Sequence, residues 1–151
     1  MKKYKVKIVG KSPYMQHRMD DEKLYDWERN RKFIIEREDV SKTDLETAFF
    51  HSYQENGKFY MPSEHIRSSL INAGGYSKAK VGNAKRSMKN IVAAMFSIDE
   101  ERIPLPEAFE VDKRSAVNRA IKARIITIRP KWTKWEANFT LSIDNDTITT
   151  E

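Results

Sequence analysis

Cysteine is missing from the 151-residue chain. Its absence excludes disulfides and thiolate metal sites, and it fits a reducing compartment. Apolar runs of membrane-spanning length are also missing. The N-terminus starts positive, but Lys5, Lys7 and Lys11 interrupt the apolar core that a signal peptide needs. The sequence therefore predicts a cytoplasmic protein with no membrane partner.

Acidic residues are missing from a long stretch between Glu64 and Asp99. The chain has 28 basic and 22 acidic residues, a formal net charge of +6, so the six cations in this stretch equal the whole excess. A local positive field of this kind suits an anionic partner. The cations are Arg67, Lys78, Lys80, Lys85, Arg86 and Lys89.

Familiar catalytic motifs are missing as well. The chain has no H-E-x-x-H, G-x-S-x-G or phosphate-loop pattern, and His17, His51 and His65 do not share metal-ligand spacing. We therefore expect no metal and no cofactor, and a non-catalytic protein is favoured. The one weak catalytic candidate is His17, which follows Tyr14 in a loop and would suit a metal-independent ribonuclease. The alternative is that His17 is an ordinary surface or hydrogen-bonding residue.

The clearest pattern present runs from Arg119 to Asp144. From Trp135 onward, apolar and polar residues alternate with the two-residue period of a half-buried strand. The preceding KARIITI is rich in β-branched residues, and the intervening RPKWTK contains a proline that cannot donate to a ladder. The segment predicts two strands joined as a hairpin, with a basic, aromatic turn and with Trp135 in the core.

The remaining segments predict a mixed fold. We expect a strand over Lys3–Val9 and a helix from about Asp20 to Arg37, with a short strand at Phe33-Ile34-Ile35 as the alternative. A small hairpin of AFFHSY and KFYMP follows, with Gly57 in its turn. After it we expect a helix from Ser63 ended by Gly74-Gly75, a basic loop, and a helix carrying Met88, Ile91, Val92 and Met95. This order predicts one α+β domain over residues 1–151, with an antiparallel sheet backed by helices. A ferredoxin-like or RNA-recognition-motif-like core with an inserted small hairpin is the expected arrangement.

Three groups of residues predict contact with a nucleic acid. One is the acid-free stretch, which would neutralise phosphates without reading sequence. Another is the turn, where Arg129, Lys131 and Lys134 interleave with the stacking surface of Trp132. The third is Arg119, Lys122 and Arg124, which lead into the strand before that turn. We therefore expect binding of single-stranded RNA or DNA, with RNA favoured. The alternatives are a solvated basic face and a tryptophan that packs under its turn. The candidate contacts are Lys78, Lys80, Lys85, Arg86, Lys89, Arg119, Arg124, Arg129, Lys131, Trp132 and Lys134.

Two segments resemble a known family. KVKIVG with its following Ser-Pro loop, and FYMPSEHIRSSLINAG, look like segments of the RAMP superfamily, the RNA-recognition-motif-like backbone and processing subunits of CRISPR systems. The turn from Arg129 to Trp135 is similar to strings in small uncharacterised phage and prophage proteins. The resemblance implies RNA-backbone binding, and self-association or incorporation into a larger ribonucleoprotein. The Gly-rich loop by which many RAMP proteins contact RNA is not found near the C-terminus.

Another function stays open from the sequence alone. A protein encoded by a phage or other mobile element can act as an interaction or inhibitor protein on a host defence or ribonucleoprotein complex. Such a protein would bind a stoichiometric protein partner and would show no affinity for free oligonucleotides.

Overall fold

The computed structural model describes residues 1–19, 41–76, 80–81, 86–118 and 122–144. This part of the chain is an α+β protein with antiparallel strand pairing, and none of its helices is long and apolar enough to cross a membrane. The helix predicted from Asp20 to Arg37 lies outside the described residues. The described helices are α1 Asp44–Phe50, α2 Ser63–Tyr76 and α3 Met88–Met95. The strands are β1 Lys2–Val9, β2 Tyr14–Met15, β3 Gln54–Glu55, β4 Lys58–Pro62, β5 Lys80–Val81, β6 Arg86–Ser87, β7 Phe96–Ile98, β8 Arg102–Pro104, β9 Glu110–Asn118, β10 Ala123–Trp132 and β11 Glu136–Ile143.

The chain divides into two compact units. Unit 1 contains Met1–Val9, Tyr60–Leu105 and Glu136–Glu151, and unit 2 contains Gly10–Phe59 and Pro106–Trp135. Each unit is therefore assembled from segments that are far apart in the sequence.

Unit 1 is built around a three-stranded antiparallel sheet in the order β1-β11-β7. Val6 pairs with Phe139 and Ile8 with Ala137, so the apolar halves of the two alternating patterns lie on one face. Ala137 and Phe139 are buried there, as period-two patterning requires. Both strands predicted from alternation are confirmed.

The opposite face of this sheet is polar and carries three carboxylates, those of Asp99, Glu100 and Glu136, the last of which pairs with Lys7. Asp99 accepts hydrogen bonds from Lys3 Nζ at 2.7 Å and from Ser142 Oγ at 2.7 Å. Glu100 accepts from the backbone N–H of Thr140 at 2.6 Å and from its hydroxyl at 2.8 Å. The bond from Lys3 lowers the pKa of Asp99, and the backbone bond from Thr140 lowers the pKa of Glu100.

These contacts predict acid sensitivity. A carboxylate with a depressed pKa in the folded chain contributes stability above its ordinary value and loses that contribution as the pH falls through its lower folded value. The ordinary values are 3.8 for Asp99 and 4.5 for Glu100. We expect the free energy of unfolding to fall below those values in urea titrations repeated between neutral and acid pH, and Glu100→Gln to flatten that fall. Glu101→Gln, at the adjacent exposed position, serves as the control, and an equal flattening in both variants would contradict the assignment.

Helices α2 and α3 pack closely in unit 1. A Cβ placed on Gly74 would lie 2.9 Å from Val92 Cγ2, so a larger residue would clash with α3. The prediction that Gly74-Gly75 ends the helix is wrong, because α2 continues to Tyr76 and Gly74 instead permits this close approach. The predicted loop that follows includes a short ladder, in which β5 pairs with β6. The helix predicted around Met88 to Met95 is confirmed.

Unit 2 is built around a long ribbon of two antiparallel strands, β9 and β10, which pair from Ala123↔Asn118 to Lys131↔Glu110. β2 adds to the other edge of β10. The predicted hairpin between β10 and β11 is wrong, because β11 pairs with β1 and β7. Residue periodicity defines a strand and its buried face, but it does not determine the partner strand.

The core of unit 2 contains a cluster of aromatic rings. The ring of Trp132 lies 5.7 Å from Phe59, 5.8 Å from Phe109 and 6.0 Å from Tyr14, between centroids. Trp132 is 1% exposed, and its Nε1 donates to the carbonyl of Pro106 at 3.0 Å. Burial raises the pKa of the Tyr14 hydroxyl to about 12. The cluster therefore occupies the interior of this unit.

The two tryptophans differ from the prediction. Because β10 continues as far as Trp132, this residue lies on the same strand face as Ile128 and Pro130. All three residues are buried. Trp135, predicted in the core, is only half-buried. Its Nε1 donates to the carbonyl of Ser12 at 2.9 Å.

Helix α1 replaces the first strand of the predicted small hairpin. Thr43 and Glu46 form a capping box that starts this helix. The segment AFF therefore continues a helix, and the hairpin is formed instead by β3 and β4. Its turn has positive φ at Asn56 (51°) and Gly57 (77°), which confirms the predicted role of Gly57.

Candidate nucleic-acid interface

The β9–β10 ribbon has a charged face on which cations and carboxylates alternate across the strands. Lys131 lies opposite Glu110, and Arg129 lies opposite Asp112. Lys131 Nζ is 2.8 Å from Glu110 Oε2, and Arg129 Nη2 is 3.4 Å from Asp112 Oδ2. The hydrogen bond from Lys131 lowers the pKa of Glu110. Two predicted phosphate contacts, Arg129 and Lys131, are therefore partly neutralised by the ribbon itself.

Asp112 organises two arginines on this face. It is 6% exposed, and it also accepts from Arg114 Nε at 2.8 Å. One buried carboxylate thus holds the guanidinium groups of Arg114 and Arg129. A shared carboxylate leaves the trio with a net positive charge and fixes the orientation of both cations.

Beyond Asp112 the chain has no acidic residue before Glu136. This stretch is the ribbon and its following turn, and it is more basic than the acid-free stretch singled out from the sequence. Sequence reasoning missed Lys113 and Arg114, although the absence of acidic residues was a sufficient signal. The cations are Lys113, Arg114, Arg119, Lys122, Arg124, Arg129, Lys131 and Lys134.

The cations at the end of the ribbon where β10 begins are exposed, whereas Arg129 and Lys131 are half-buried. Arg124 is exposed, with Nη1 donating to Ser115 Oγ at 3.4 Å. Lys122 is exposed and has φ of 52° where the chain enters β10. Val117 and Ile126 are also exposed on this part of the ribbon. The described part of this end therefore presents positive and apolar side chains together.

A pocket of about 390 Å³ lies beside the end of α1, and we call it the α1 pocket. Phe49 and Phe50 are 41% and 39% exposed, and Lys42 Nζ lies 4.8 Å from the Phe50 ring centroid. Exposed aromatic rings beside cations are the combination on which unpaired bases stack. The lining residues are Arg18, Lys42, Glu46, Phe49, Phe50 and Gln54.

His17 lies close to a second histidine. Its exposed ring stacks on His51 with centroids 4.3 Å apart and planes 15° apart. His51 is buried, and its Nδ1 lies 3.0 Å from the carbonyl oxygen of Arg18. Sequence spacing did not indicate this pair. Within the described ranges, no group of three or more His, Asp or Glu residues is arranged to hold a metal ion.

The other predicted contacts are distributed between the two units. Lys78, Lys85 and Arg119 lie outside the described residues. Lys80 and Arg86 lie in β5 and β6 of unit 1, and Lys89 is exposed on α3 of the same unit. Arg124, Arg129, Lys131, Trp132 and Lys134 belong to unit 2. Because Trp132 is buried, its ring faces are not open to a ligand in this structure.

No family model, curated protein or solved structure matches this chain.

Proposed function

We propose that the protein is a non-catalytic module that binds single-stranded nucleic acid, RNA in preference to DNA. The observation that carries the proposal is in unit 2, where the exposed rings of Phe49 and Phe50 lie beside Arg18 and Lys42. Stacking on aromatic rings combined with backbone neutralisation is how proteins hold single strands. The cations of the β9–β10 ribbon supply further charge for the phosphates.

The exposed phenyl rings favour a single strand over a duplex. A two-stranded ribbon also fits the major groove of duplex DNA, so the ribbon by itself does not select between the two ligands. Phe49 and Phe50 need a base whose face is open, and paired bases are already stacked. We therefore infer the preference for a single-stranded ligand from these two residues.

The preference for RNA rests on the RAMP-like segments, and a phage or mobile-element origin rests on the turn from Arg129 to Trp135. A ferredoxin-like core in unit 1 belongs to the same proposal. It is supported by the antiparallel pairing of the first and last described strands, β1 and β11, and by the helices α2 and α3 in that unit. The absence of catalysis is checked by incubating the protein with labelled RNA, with His17→Ala as the comparison.

Salt dependence tests the proposal. We expect the affinity for a short RNA oligonucleotide to fall steeply with salt, because bound phosphates release counterions. Replacing Lys122 and Arg124 by glutamine should reduce the slope of log K against log[salt] by about 0.7 for each phosphate that is no longer neutralised. Fluorescence anisotropy at several salt concentrations measures this slope.

The matched control removes the same charge from unit 2 at exposed positions off the ribbon, Lys11→Gln with Lys58→Gln. This control should leave the slope nearly unchanged. Binding that is insensitive to salt, or equal effects of the two double variants, would contradict the proposal.

An apolar cleft in unit 1 favours the second candidate, a protein-interaction function. The cleft has a volume of about 300 Å³ and is lined only by apolar side chains. Exposed apolar surfaces of this kind are typical of protein interfaces. A stoichiometric protein partner that no longer binds Leu70→Glu, together with no affinity for RNA, would select this function. The lining residues are Leu70, Val92, Met95, Phe96, Leu141 and Ile143.

A further inference from the structure

We propose that the α1 pocket holds one whole nucleotide, with the base against Phe49 and Phe50 and the phosphate between Arg18 and Lys42. This inference rests on the proposed function, because it names the unit of ligand that the same site takes. The pocket volume of about 390 Å³ lies within the range of small-molecule sites, about 300–1,000 Å³.

The two phenyl rings are held in place by buried neighbours. Phe49 lies edge-on to Phe59 with centroids 5.7 Å apart, and Phe59 is part of the core. Phe50 lies edge-on to the buried His51 at 5.6 Å. Rings that are fixed before binding lose little conformational entropy when a base stacks on them. The pocket is therefore prepared for a flat aromatic ligand.

The pocket wall carries two cations and one carboxylate, Arg18, Lys42 and Glu46. Glu46 accepts from the backbone N–H and the hydroxyl of Thr43, both at 2.8 Å. These bonds, the backbone one foremost, lower the pKa of Glu46 and use one of its oxygens in the helix cap. The guanidinium of Arg18 and the ammonium of Lys42 are donors of the kind that form charge-assisted hydrogen bonds with a phosphate.

Gln54 gives the pocket a means of selecting among bases. It is the uncharged polar side chain among the lining residues. Its Oε1 accepts from the backbone N–H of Gly57 at 3.3 Å, which leaves the amide N–H groups as donors. A base that turns an acceptor atom toward these donors gains a hydrogen bond, and a base without one does not.

Titrations of the full chain with AMP, GMP, CMP, UMP and inorganic phosphate test the inference, using calorimetry and saturation-transfer NMR. We expect all four nucleotides to bind more tightly than phosphate, and with unequal affinities. Phe49→Leu should weaken nucleotide binding about tenfold, the equivalent of removing one stacked ring. Gln54→Ala should make the four affinities more alike.

The control on the same helix is Leu45→Ala, an exposed position that does not line the pocket, and it should bind nucleotides as the parent chain does. Thermal melts of each variant show whether it is folded, and Gln54→Ala provides a readout that does not depend on Phe49→Leu.

The outcomes separate this inference from the proposed function. Oligonucleotide binding with a steep salt dependence, but with mononucleotides unbound and Phe49→Leu silent, would overturn the pocket. It would leave nucleic-acid binding through the β9–β10 ribbon standing, without the selection for single strands that Phe49 and Phe50 provide. Mononucleotide binding without oligonucleotide binding would support the pocket and overturn the proposed function. Phosphate alone, or a short acidic peptide, binding as tightly as a nucleotide would overturn the stacked base. Nucleotide binding that Lys122→Gln and Arg124→Gln leave intact supports the pocket as the site.

Discussion

Trp132→Ala should lower the free energy of unfolding by about 3–5 kcal/mol, the usual cost of removing a large buried aromatic side chain. Trp132 is 1% exposed and contacts the rings of Phe59, Phe109 and Tyr14. The substitution removes these contacts and leaves a cavity, and it also leaves the Pro106 carbonyl without its indole donor. Urea unfolding followed by far-ultraviolet circular dichroism measures the change without relying on tryptophan fluorescence.

Trp135→Ala is the matched control for this experiment. Trp135 is half-buried and makes one indole hydrogen bond, to Ser12, so its removal should cost clearly less. The loss of unfolding free energy in Trp132→Phe should lie between those of Trp132→Ala and Trp135→Ala, because the phenylalanine keeps an aromatic ring but loses the hydrogen bond. A larger loss for Trp135→Ala than for Trp132→Ala would support the interpretation made from the sequence, in which Trp135 is the core residue.

Asp112→Asn should lower the free energy of unfolding by about 2–3 kcal/mol, because it leaves the half-buried guanidinium of Arg129, and that of Arg114, without their counter-charge. Asp112 is 6% exposed and accepts from both Arg114 and Arg129. The value lies below that of a fully buried pair because Arg114 is mostly exposed and water screens its charge. Urea titration at neutral pH measures it.

Glu110→Gln is the control, because it removes a neighbouring carboxylate from the same ribbon face. Glu110 is exposed, and its contact with Lys131 at 2.8 Å is a surface ion pair, so we expect a clearly smaller loss than for Asp112→Asn. Equal losses in the two variants would show that burial of Asp112 does not matter. Arg114→Gln combined with Asp112→Asn, set against the single variants, gives the coupling energy between the two residues.

The elements that could be predicted from the sequence are those encoded by local periodicity. The alternation in β1 and β11 and the helical spacing in α3 identified these elements closely. Strand partners could not be predicted in this way. β10 and β11 are separated along the chain only by Thr133, Lys134 and Trp135, yet they belong to different sheets, because pairing depends on contacts between distant segments.

The candidate site was predictable only in part. Runs of cations can be counted in a sequence, but the ion pairs that neutralise them cannot be predicted from it. Asp112 contacts Arg129 only after β9 pairs with β10. The α1 pocket was missed because Phe49 and Phe50 were assigned to a strand. The capping box of Thr43 and Glu46 starts a helix in this segment in place of the strand. This helix leaves both phenyl rings at the surface.

The pairing of β1 with β11 has a consequence for synthesis. Val9 and its partner Glu136 lie 127 positions apart in the chain. On a ribosome that adds about 5–20 residues each second, β1 waits about 6–25 s before its neighbour exists. During that time its backbone amides and carbonyls bond to water. Alternate lysines at positions 3, 5 and 7 discourage the nascent strand from joining other unfinished chains, as charged residues do on exposed sheet edges.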